Sequence, residues 1–306
     1  MKKAIVTGAN GFIGQAVIKE LLKNNVEVIA ILRKEENKKF IQNKHVHAIV
    51  CDLENINDLT KNMKIENADV FYHFAWDGSA GEKRADTKLQ LKNVQWTIDS
   101  IETAKELKCK KFVCAGSIME QETIAAAYKY GNKPGMGYIY GSSKMAAHSM
   151  GKSIAVNIGI DFIWAEITNA YGVGEVSARF INTTIRKILN DEPLQFTSAI
   201  QNYDFIYISD VARAFYLIGE KGKAFGEYVI GSSSAQPLKN FILEMKDTLA
   251  PDKEFIFGDI PFTGINLEIK AFSTKKLEED TGFRPEVSFC DGIKKTSDWL
   301  KEQEVK

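Results

Sequence analysis

Two side chains near the middle of the chain are spaced for proton transfer. Tyr140 and Lys144 are four positions apart, so they share one face of a helix. A free phenol titrates at about pH 10 and is a poor proton donor or acceptor at neutral pH. A positive charge at about 4 Å is worth roughly 4 kcal/mol at an effective dielectric of about 20, enough to make a phenol reactive at neutral pH. Tyr140 could then protonate a carbonyl oxygen or deprotonate a hydroxyl, while Ser117 bonds to the same oxygen.

A glycine-rich segment near the amino terminus is suited to binding a dinucleotide. Residues 7–14 have the sequence TGANGFIG, which follows a strand-like run and begins a predicted helix. In this context the first glycine permits a tight turn, the second lets the backbone approach a pyrophosphate, and the third lets helix and strand pack closely. The first N–H groups of the helix would bind the pyrophosphate. The expected cofactor contacts here are those of Gly8, Asn10, Gly11, Phe12, Ile13 and Gly14.

The end of the second predicted strand bears on the choice between NADP and NAD. An acidic residue there binds the ribose 2′-hydroxyl of NAD, whereas an arginine accommodates the 2′-phosphate of NADP. In this chain the strand ends with Arg33 and Lys34, and the next carboxylate is that of Glu35. The two cations favour NADP. If they are instead ordinary solvated surface residues that do not meet the cofactor, NAD is the alternative. Asp52, followed by Leu53, comes after the third strand and is placed to accept a hydrogen bond from the adenine amino group.

The composition is that of a soluble globular protein and excludes several classes of partner. The chain has 306 residues, of which 44% are hydrophobic and 26% are charged. Its 40 basic residues balance its 40 acidic ones, so no overall field attracts nucleic acid or an anionic membrane. The four cysteines and four histidines lack metal-site spacing, no metal is expected, and His73, inside a predicted strand, is expected to be structural. With no signal-like start and no bilayer-length apolar run, a cytoplasmic location is expected.

Alternating strands and helices predict an α/β fold with a doubly wound parallel sheet of the Rossmann type. The predicted strands of the first part are 4–7, 26–32, 47–51, 70–75, 111–115 and 162–167. The predicted helices between them are 12–23, 86–107 and 140–156. Residues 1–172 would form the dinucleotide-binding domain, which also receives parts of 203–231. Residues 173–306 would form mainly a smaller, interleaved α/β substrate lobe, with helices at 179–189, 238–249 and 291–301.

Along its whole length the chain resembles the extended short-chain dehydrogenase/reductase superfamily, in particular the NAD-dependent epimerase/dehydratase family that acts on nucleotide sugars. The glycine segment matches the family's motif at every position, and Ser117, Tyr140 and Lys144 match its catalytic residues. Further similar segments are 72–75 (YHFA), 169–172 (NAYG), 204–212 (DFIYISDVA) and 282–285 (GFRP). The first of these segments passes the nicotinamide ribose in the family, which implies cofactor contacts for Phe74 and Ala75.

The resemblance also implies which residues meet the substrate. Asn169 matches an asparagine that faces the substrate, and Asn93 matches one on the family's long helix, where it is expected to bind a backbone group near the catalytic turn. Family members usually bind the substrate diphosphate with arginines, but this chain has Tyr203 at one such position and no cation in the turn 262–264 at another. Either Arg179, Arg186 or nearby lysines replace the missing arginines, or the substrate has no diphosphate. The first possibility is preferred.

Departures from the family pattern favour a reductase. Family dehydratases carry an acidic pair directly after the catalytic threonine, whereas Ser117 is followed by two apolar residues before Glu120. Family epimerases usually carry an aspartate after the second strand, where this chain has Arg33. The sequence also has some similarity to 4-ketoreductases of the CDP-abequose synthase type. The resemblance and its departures together predict an NADP-dependent reductase of a nucleotide-linked 4-keto sugar, with Tyr140 as the general acid.

Other functions are compatible with the same residues. An NAD-dependent 4-epimerase would use them too, with the ketone intermediate reduced from its other face. The missing arginines also fit a carbonyl reductase whose substrate has no nucleotide. A dinucleotide-sensing regulator would need only the glycine segment, and the intact Ser117, Tyr140 and Lys144 argue against it. The resemblance further implies a homodimer formed through helices 86–108 and 140–156.

Overall fold

The structure is a computed structural model that describes residues 1–40, 43–62, 68–128 and 133–304. Its strands are β1 (Lys3–Thr7), β2 (Glu27–Leu32), β3 (Val46–Val50), β4 (Val70–His73), β5 (Lys111–Ser117), β6 (Asp161–Ile167), β7 (Asn169–Tyr171), β8 (Gln195–Phe196), β9 (Asn202–Tyr203), β10 (Phe205–Tyr207), β11 (Glu227–Ile230), β12 (Gln236–Pro237) and β13 (Ile256–Phe257). Its helices are α1 (Phe12–Lys23), α2 (Asp58–Asn62), α3 (Thr87–Glu106), α4 (Met119–Tyr128), α5 (Ile139–Ile158), α6 (Phe180–Leu189), α7 (Ile208–Lys221), α8 (Leu238–Leu249), α9 (Lys275–Thr281) and α10 (Phe289–Glu304).

Seven of the described strands form one parallel sheet. Their order is β11-β6-β5-β4-β1-β2-β3, with Ile5 of β1 opposite Ile29 of β2 on one side and Phe71 of β4 on the other. The strand order reverses between β1 and β4. At such a switch point the loops after neighbouring strands run in opposite directions and leave a crevice at the carboxyl ends. The predicted binding residues follow the carboxyl ends of these strands.

Helices cover both faces of this sheet. Ala4 and Val6 of β1 pack in one core with α1 and α7. Ile5, between them, packs in a second core with α3 and α5. Successive side chains of a strand point to opposite faces, so a strand buried on both sides is a nearly continuous apolar run. The prediction of a doubly wound α/β sheet of the Rossmann type is confirmed.

The chain after β6 builds smaller pieces of sheet near the carboxyl ends of the large one. β7 pairs with β10 in parallel, β9 with β12 antiparallel, and β8 with β13 in parallel. β11 returns to the large sheet beside β6. The second part of the chain is therefore interleaved with the first, as expected, and the boundary at residue 172 stays a prediction.

Two local differences from the predicted elements have physical reasons. β4 ends at His73 rather than at residue 75, and the chain leaves the sheet along the glycine turn, where a Cβ on Gly8 would lie 2.7 Å from the Ala75 nitrogen. Periodicity does not predict α4, whose buried residues are Glu120, Thr123 and Ala126 rather than an apolar stripe.

Candidate active site

The turn between β1 and α1 has the close packing that the glycine spacing predicts. Gly8 has a φ of 64°, and a Cβ on Gly14 would lie 2.2 Å from the carbonyl oxygen of Gly8, so α1 approaches the turn only with glycine there. Gly11 is the N-cap of α1, provides no side-chain cap, and is followed by a first turn without acidic residues. The N–H groups and partial positive charge of this helix end therefore suit an anion such as a pyrophosphate.

The other residues of the glycine segment surround the start of α1. Phe12 and Ile13 form its first turn and are partly buried against the core. The backbone carbonyl of Asn10 accepts a hydrogen bond from the side-chain amide of Gln15 at 2.7 Å. This bond fixes the turn through the backbone of Asn10 and does not use the side chain of that residue.

The carboxyl ends of β2 and β3 carry the residues expected at the adenosine. The side chain of Arg33 is 61% exposed, and its Nη1 lies 3.3 Å from Oδ2 of Asp77. Asp52 is the N-cap of the short 3-10 helix Leu53–Asn55, and its Oδ1 accepts a bond from the N–H of Glu54 at 3.1 Å. Arg33 is thus a cation paired with a carboxylate from the segment that follows β4.

The segment after β4 runs beside the glycine turn and is fixed by α3. Phe74 packs against the core, and the N–H of Ala75 lies 3.4 Å from Oγ1 of Thr7. The side chain of Asn93 accepts from the N–H of Asp77 at 2.9 Å and donates to its carbonyl oxygen at 2.8 Å. Asn93 therefore binds the backbone of this segment from α3.

His73 lies in β4 between two threonines. Its Nδ1 is 3.0 Å from Oγ1 of Thr7, and its Nε2 is 3.4 Å from Oγ1 of Thr97. Burial, with a further contribution from the charge of Lys144, lowers the pKa of His73 to about 3. The ring is neutral and hydrogen-bonded inside the sheet, which fits the structural role expected of it.

Tyr140 and Lys144 lie on the buried face of α5, with 6% and 4% exposure. The Nζ atom of Lys144 donates to the carbonyl oxygen of Ala115 at 2.8 Å and lies 6.0 Å from the centre of the Tyr140 ring. Trp76, which the sequence analysis did not single out, meets the Tyr140 ring edge to face at 5.9 Å. Its only signal in the sequence is that it directly follows the segment 72–75. The phenol and the ammonium share one enclosed site at the carboxyl end of β5.

Ser117 is the last residue of β5 and lies just before α4. Its Oγ accepts a hydrogen bond from the N–H of Met119 at 3.2 Å. Its own N–H donates to Oε1 of Glu120 at 2.9 Å. Glu120 is 2% exposed and also accepts a bond from Nε1 of Trp164. The carboxylate of Glu120, which does not directly follow Ser117 as in the family dehydratases, is therefore hydrogen-bonded inside the protein.

The predicted substrate residues line one cavity of about 240 Å³. Asn169 lies on β7, Tyr203 lies on β9, and Arg179 is the N-cap residue of α6. Nε of Arg179 lies 3.2 Å from Oε2 of Glu175. Arg186, the alternative cation, is farther along α6 and does not line the cavity. The fold thus brings together three residues that are widely separated in the sequence.

Two polar atoms of the cavity wall are buried without a hydrogen-bond partner in the described part of the chain. They are Nε of Arg179 and Oδ1 of Asn182. Glu175 is near the first of these atoms, but not in the direction of a hydrogen bond. An unsatisfied buried polar group costs about 1–3 kcal/mol, so the packing of this wall leaves part of its polar surface uncompensated.

Arg84 is a further cation of this cavity, and the sequence analysis missed it. It lies in the 3-10 helix Glu82–Ala85 and lines the cavity, and its guanidinium carbon is 4.9 Å from the centre of the Tyr140 ring. Burial lowers the pKa of Arg84, and the charge of Arg179 acts in the same direction, so the two cations are within electrostatic reach. A signal was available, since Arg84 is one of only six arginines in the chain.

Glu122 of α4 places a carboxyl group within electrostatic reach of Arg84. It acts electrostatically on both Arg84 and Tyr203. Burial raises the pKa of Glu122 to about 7, against the opposing charge of Arg84. Near neutral pH the group is therefore divided between its acid and its carboxylate, and it can donate or accept a hydrogen bond.

Within the ranges that the structure describes, no three histidine, cysteine or carboxylate side chains are grouped to hold a metal ion. No helix of those ranges combines the length and the apolar character needed to cross a bilayer. The doubly wound sheet, the glycine turn before α1 and the buried tyrosine–lysine pair on α5 define a class, the dinucleotide-dependent oxidoreductases with a Rossmann fold.

Comparison with known proteins gives the family within this class. The sequence profile of the NAD-dependent epimerase/dehydratase family matches residues 4–231, and the chain belongs to that family. It is therefore an enzyme of the extended short-chain dehydrogenase type, with oxidoreductase or epimerase activity.

Relatives of known activity cover nearly the whole chain. The chain is 25% identical over 297 residues to CDP-abequose synthase of Salmonella typhimurium, covering 94% of this chain and 95% of the relative. It is also 25% identical over 338 residues to human dTDP-D-glucose 4,6-dehydratase, covering 98% of this chain and 90% of the relative. Among solved structures, UDP-glucuronic acid 4-epimerase from Bacillus cereus in complex with NAD superposes with a TM-score of 0.77 at 21% identity, covering 98% of this chain and 99% of that one.

Proposed function

We propose that this chain is a cytoplasmic, NADP-dependent reductase of a nucleotide-linked 4-keto sugar. The observation that carries the proposal is the position of Arg84, which lies against the Tyr140 ring and also lines the cavity that contains Arg179. A sugar that presents a carbonyl oxygen to Tyr140 would extend into a cavity lined by two cations, Arg84 and Arg179. A diphosphate attached to that sugar is the chemical group that such a cavity would stabilise.

The residues proposed to act on the carbonyl are Tyr140, Lys144 and Ser117. When bound, NADPH supplies the hydride that is added to the C4 carbon of the sugar. Tyr140 donates its phenolic proton to the carbonyl oxygen, so the ketone becomes a secondary alcohol, and the phenolate regains a proton from solvent. Lys144 stabilises the phenolate by its charge and binds the nicotinamide ribose, and Ser117 donates a hydrogen bond to the carbonyl oxygen.

The residues of the crevice fit the dinucleotide. The uncapped start of α1 suits the pyrophosphate, and Gly8 and Gly14 keep the turn compact. Arg33 would bind the 2′-phosphate of NADP, and Asp52 the adenine amino group. The remaining proposed contacts are those of Asn10, Gly11, Phe12, Ile13, Leu53, Phe74 and Ala75.

The surroundings of Ser117 support reduction rather than elimination of water. Elimination needs an acid and a base that reach the sugar. Glu120 is 2% exposed, and its oxygens accept bonds from Ser117 and Trp164, so these partners already engage its carboxylate inside the protein.

A 4-epimerase with bound NAD is the second candidate. One observation favours it, because Asp77 lies 3.3 Å from Arg33 and places a carboxylate where a ribose hydroxyl of NAD could bind. A ketone substrate without a nucleotide is less well supported, since it would offer no anionic group to Arg84 and Arg179, the two cations that line the cavity.

We also propose that the enzyme forms a homodimer through α3 and α5. The two helices pack on each other over one face of the sheet. They expose Leu91, Met150 and Val156 to the extent of 61%, 49% and 63%. Apolar side chains at these positions would be buried by the same two helices of a second copy.

Turnover of nucleotide-linked 4-keto-6-deoxy sugars with NADPH tests the proposed reaction. Loss of NADPH absorbance should require the sugar and give an alcohol at C4. Interconversion of sugars without added cofactor, together with NAD released on denaturation, would reject the reductase and support the epimerase.

A further inference from the structure

Glu120 is a buried carboxylate beside the proposed catalytic serine, and the proposed reaction does not use it. Its Oε1 accepts from the N–H of Ser117 at 2.9 Å and from Nε1 of Trp164 at 3.0 Å. Its Oε2 lies 3.1 Å from the same indole nitrogen and 3.5 Å from Nδ1 of His148. A buried carboxylate is costly unless such partners compensate for the lost water.

Part of this arrangement is a helix cap. Ser117 and Glu120 have the S-x-x-E spacing of a capping box at the start of α4. The Oγ of Ser117 accepts from the N–H of Met119, and Glu120 reaches back to the N–H of Ser117. Because one lone pair of the serine oxygen is used by Met119, the O–H of Ser117 is left to donate to another oxygen.

Capping alone does not explain how deeply the carboxylate is enclosed. The ring of His148 stacks on Trp164 at 4.7 Å with an interplanar angle of 4°, which closes one side of the site. A Cβ on Gly116 would lie 2.2 Å from Nε1 of Trp164 and 2.9 Å from Oε1 of Glu120. Because residue 116 of β5 is a glycine, no side chain there separates the indole of Trp164 from the carboxylate of Glu120.

The same strand segment is held from its other end by Lys144. The ammonium of Lys144 binds the carbonyl oxygen of Ala115, two residues before the N–H that Glu120 binds. Both charged side chains are buried, at 4% and 2% exposure. The backbone from Ala115 to Ser117 is thus fixed at its two ends by two opposite charges, one of them on the helix that carries Tyr140.

We propose that Glu120 is a positioning residue of the reaction. By holding the N–H of Ser117 while Lys144 holds the carbonyl of Ala115, it fixes the Ser117 hydroxyl relative to the phenol of Tyr140. The inference rests on the proposed function for the role of Ser117. Its structural part, the control of the Ser117 backbone by Glu120, concerns the protein alone.

The test compares three variants of Glu120 with a matched helix-cap variant. Glu120→Ala removes the acceptor, Glu120→Asp withdraws it by one methylene but keeps the charge, and Glu120→Gln keeps an acceptor for the Ser117 N–H. Asp291→Ala is the control, because Asp291 and Ser288 form a comparable polar cap at the start of α10. For each folded variant, kcat and KM are measured for whichever sugar reaction the wild type performs, and amide hydrogen exchange is measured at Ser117.

The alanine and aspartate variants should lose about 10²-fold in kcat with little change in KM for the dinucleotide, because a displaced catalytic group costs rate rather than binding. The glutamine variant should recover most of that loss, and the control should match the wild type. The Ser117 amide should exchange roughly 10-fold faster in the alanine variant, as expected when a protecting bond is lost. If the alanine variant does not fold, the aspartate variant replaces it in both measurements.

Three results would overturn the proposal. The first is a folded alanine or aspartate variant with the kcat of the control. The second is a glutamine variant as slow as the alanine variant, since its amide can still accept the N–H. The third is unchanged exchange at Ser117. A wild-type enzyme that turns over no sugar would count against the proposed function, and the exchange measurement would still decide the structural part.

Discussion

The ammonium of Lys144 lies 3.7 Å from the centre of the Trp76 ring, within the range of a cation–π contact. Nε1 of Trp76 donates to Oε1 of Gln90 on α3 at 2.9 Å, so the indole is itself fixed. The lysine is therefore enclosed between this ring and the Ala115 carbonyl. Its position beside Tyr140 results from its contacts with β5 and with the segment after β4, as well as from the helix spacing.

The phenol of Tyr140 is expected to be essential for the chemical step. Tyr140→Phe removes the proton donor and keeps the ring against Trp76 and Arg84, so kcat should fall by about 10²–10⁴-fold. The dissociation constant of NADPH should hardly change. Tyr128→Phe, at an exposed tyrosine, is the control. Steady-state kinetics give kcat and fluorescence titration gives the NADPH dissociation constant for both variants. A Tyr140 variant with wild-type kcat would contradict the proposed role.

The guanidinium of Arg33 is expected to set the preference for NADP. Arg33→Ala removes a charge-assisted bond to the 2′-phosphate, so KM for NADPH should rise by about 10- to 100-fold while KM for NADH stays nearly constant. Lys38→Ala, in the same surface region and paired with Glu35, is the control. Equal effects on the two cofactors would show that Arg33 does not contact the 2′-phosphate.

The guanidinium of Arg84 is expected to bind the anionic part of the substrate. Arg84→Gln should raise KM for the sugar nucleotide by about 10- to 100-fold, because a bidentate contact with phosphate is lost, and should leave KM for NADPH unchanged. Arg186→Gln changes the same residue type outside the cavity and should have little effect. Unchanged KM in the Arg84 variant would favour a substrate without a diphosphate.

The carboxyl group of Glu166 should make stability depend on pH. Burial and the nearby Glu120 raise its pKa from 4.5 to about 8. Between these values the folded state keeps a proton that the unfolded state has released, so stability falls as the pH rises. The Tm of Glu166→Gln minus that of wild type should therefore increase from about pH 5 to about pH 9, by at least about 3 °C. Thermal unfolding at both pH values checks this, with Glu302→Gln as an exposed control; equal differences at the two pH values would exclude the titration.

The exposed apolar residues of α3 and α5 should control association. Wild-type protein should sediment as a dimer, and the double change Leu91→Lys and Val156→Lys should shift it to the monomer, because it buries two charges at the interface. Val176→Lys changes a residue that is 78% exposed outside these helices and should leave the dimer intact. A monomeric wild type in sedimentation velocity would exclude the proposed assembly.

The first half of the fold could be predicted because its signals are local. Buried parallel strands are continuous apolar runs, and the helices between them repeat their apolar residues at helical spacing. The glycine turn and the Tyr140–Lys144 pair are also local, since each lies within one turn or one helix. Helix α4 lacks such a signal, because its buried face contains Glu120 and Thr123, whose partners come from distant strands.

The cavity of the candidate site could be predicted only in part. Asn169, Arg179 and Tyr203 were found through resemblance to a family, and the structure shows that they line one cavity. Arg84 was missed because its meaning depends on a contact with Tyr140, which is 56 positions away in the sequence. A charged residue in a loop has no periodic pattern that would indicate where the loop folds.

The amino-acid sequence by itself determined the sheet, the dinucleotide turn and the helical pairing of Tyr140 with Lys144, because each depends on neighbours in the chain. Only the tertiary structure decided what surrounds that pair. Trp76, Arg84 and Glu120 acquire their partners when separate strands and helices pack together, and the distances between those partners are properties of the folded chain. The physical reason is that a side chain's charge and hydrogen bonds have effect over a few ångströms, and folding alone determines which residues lie within that range.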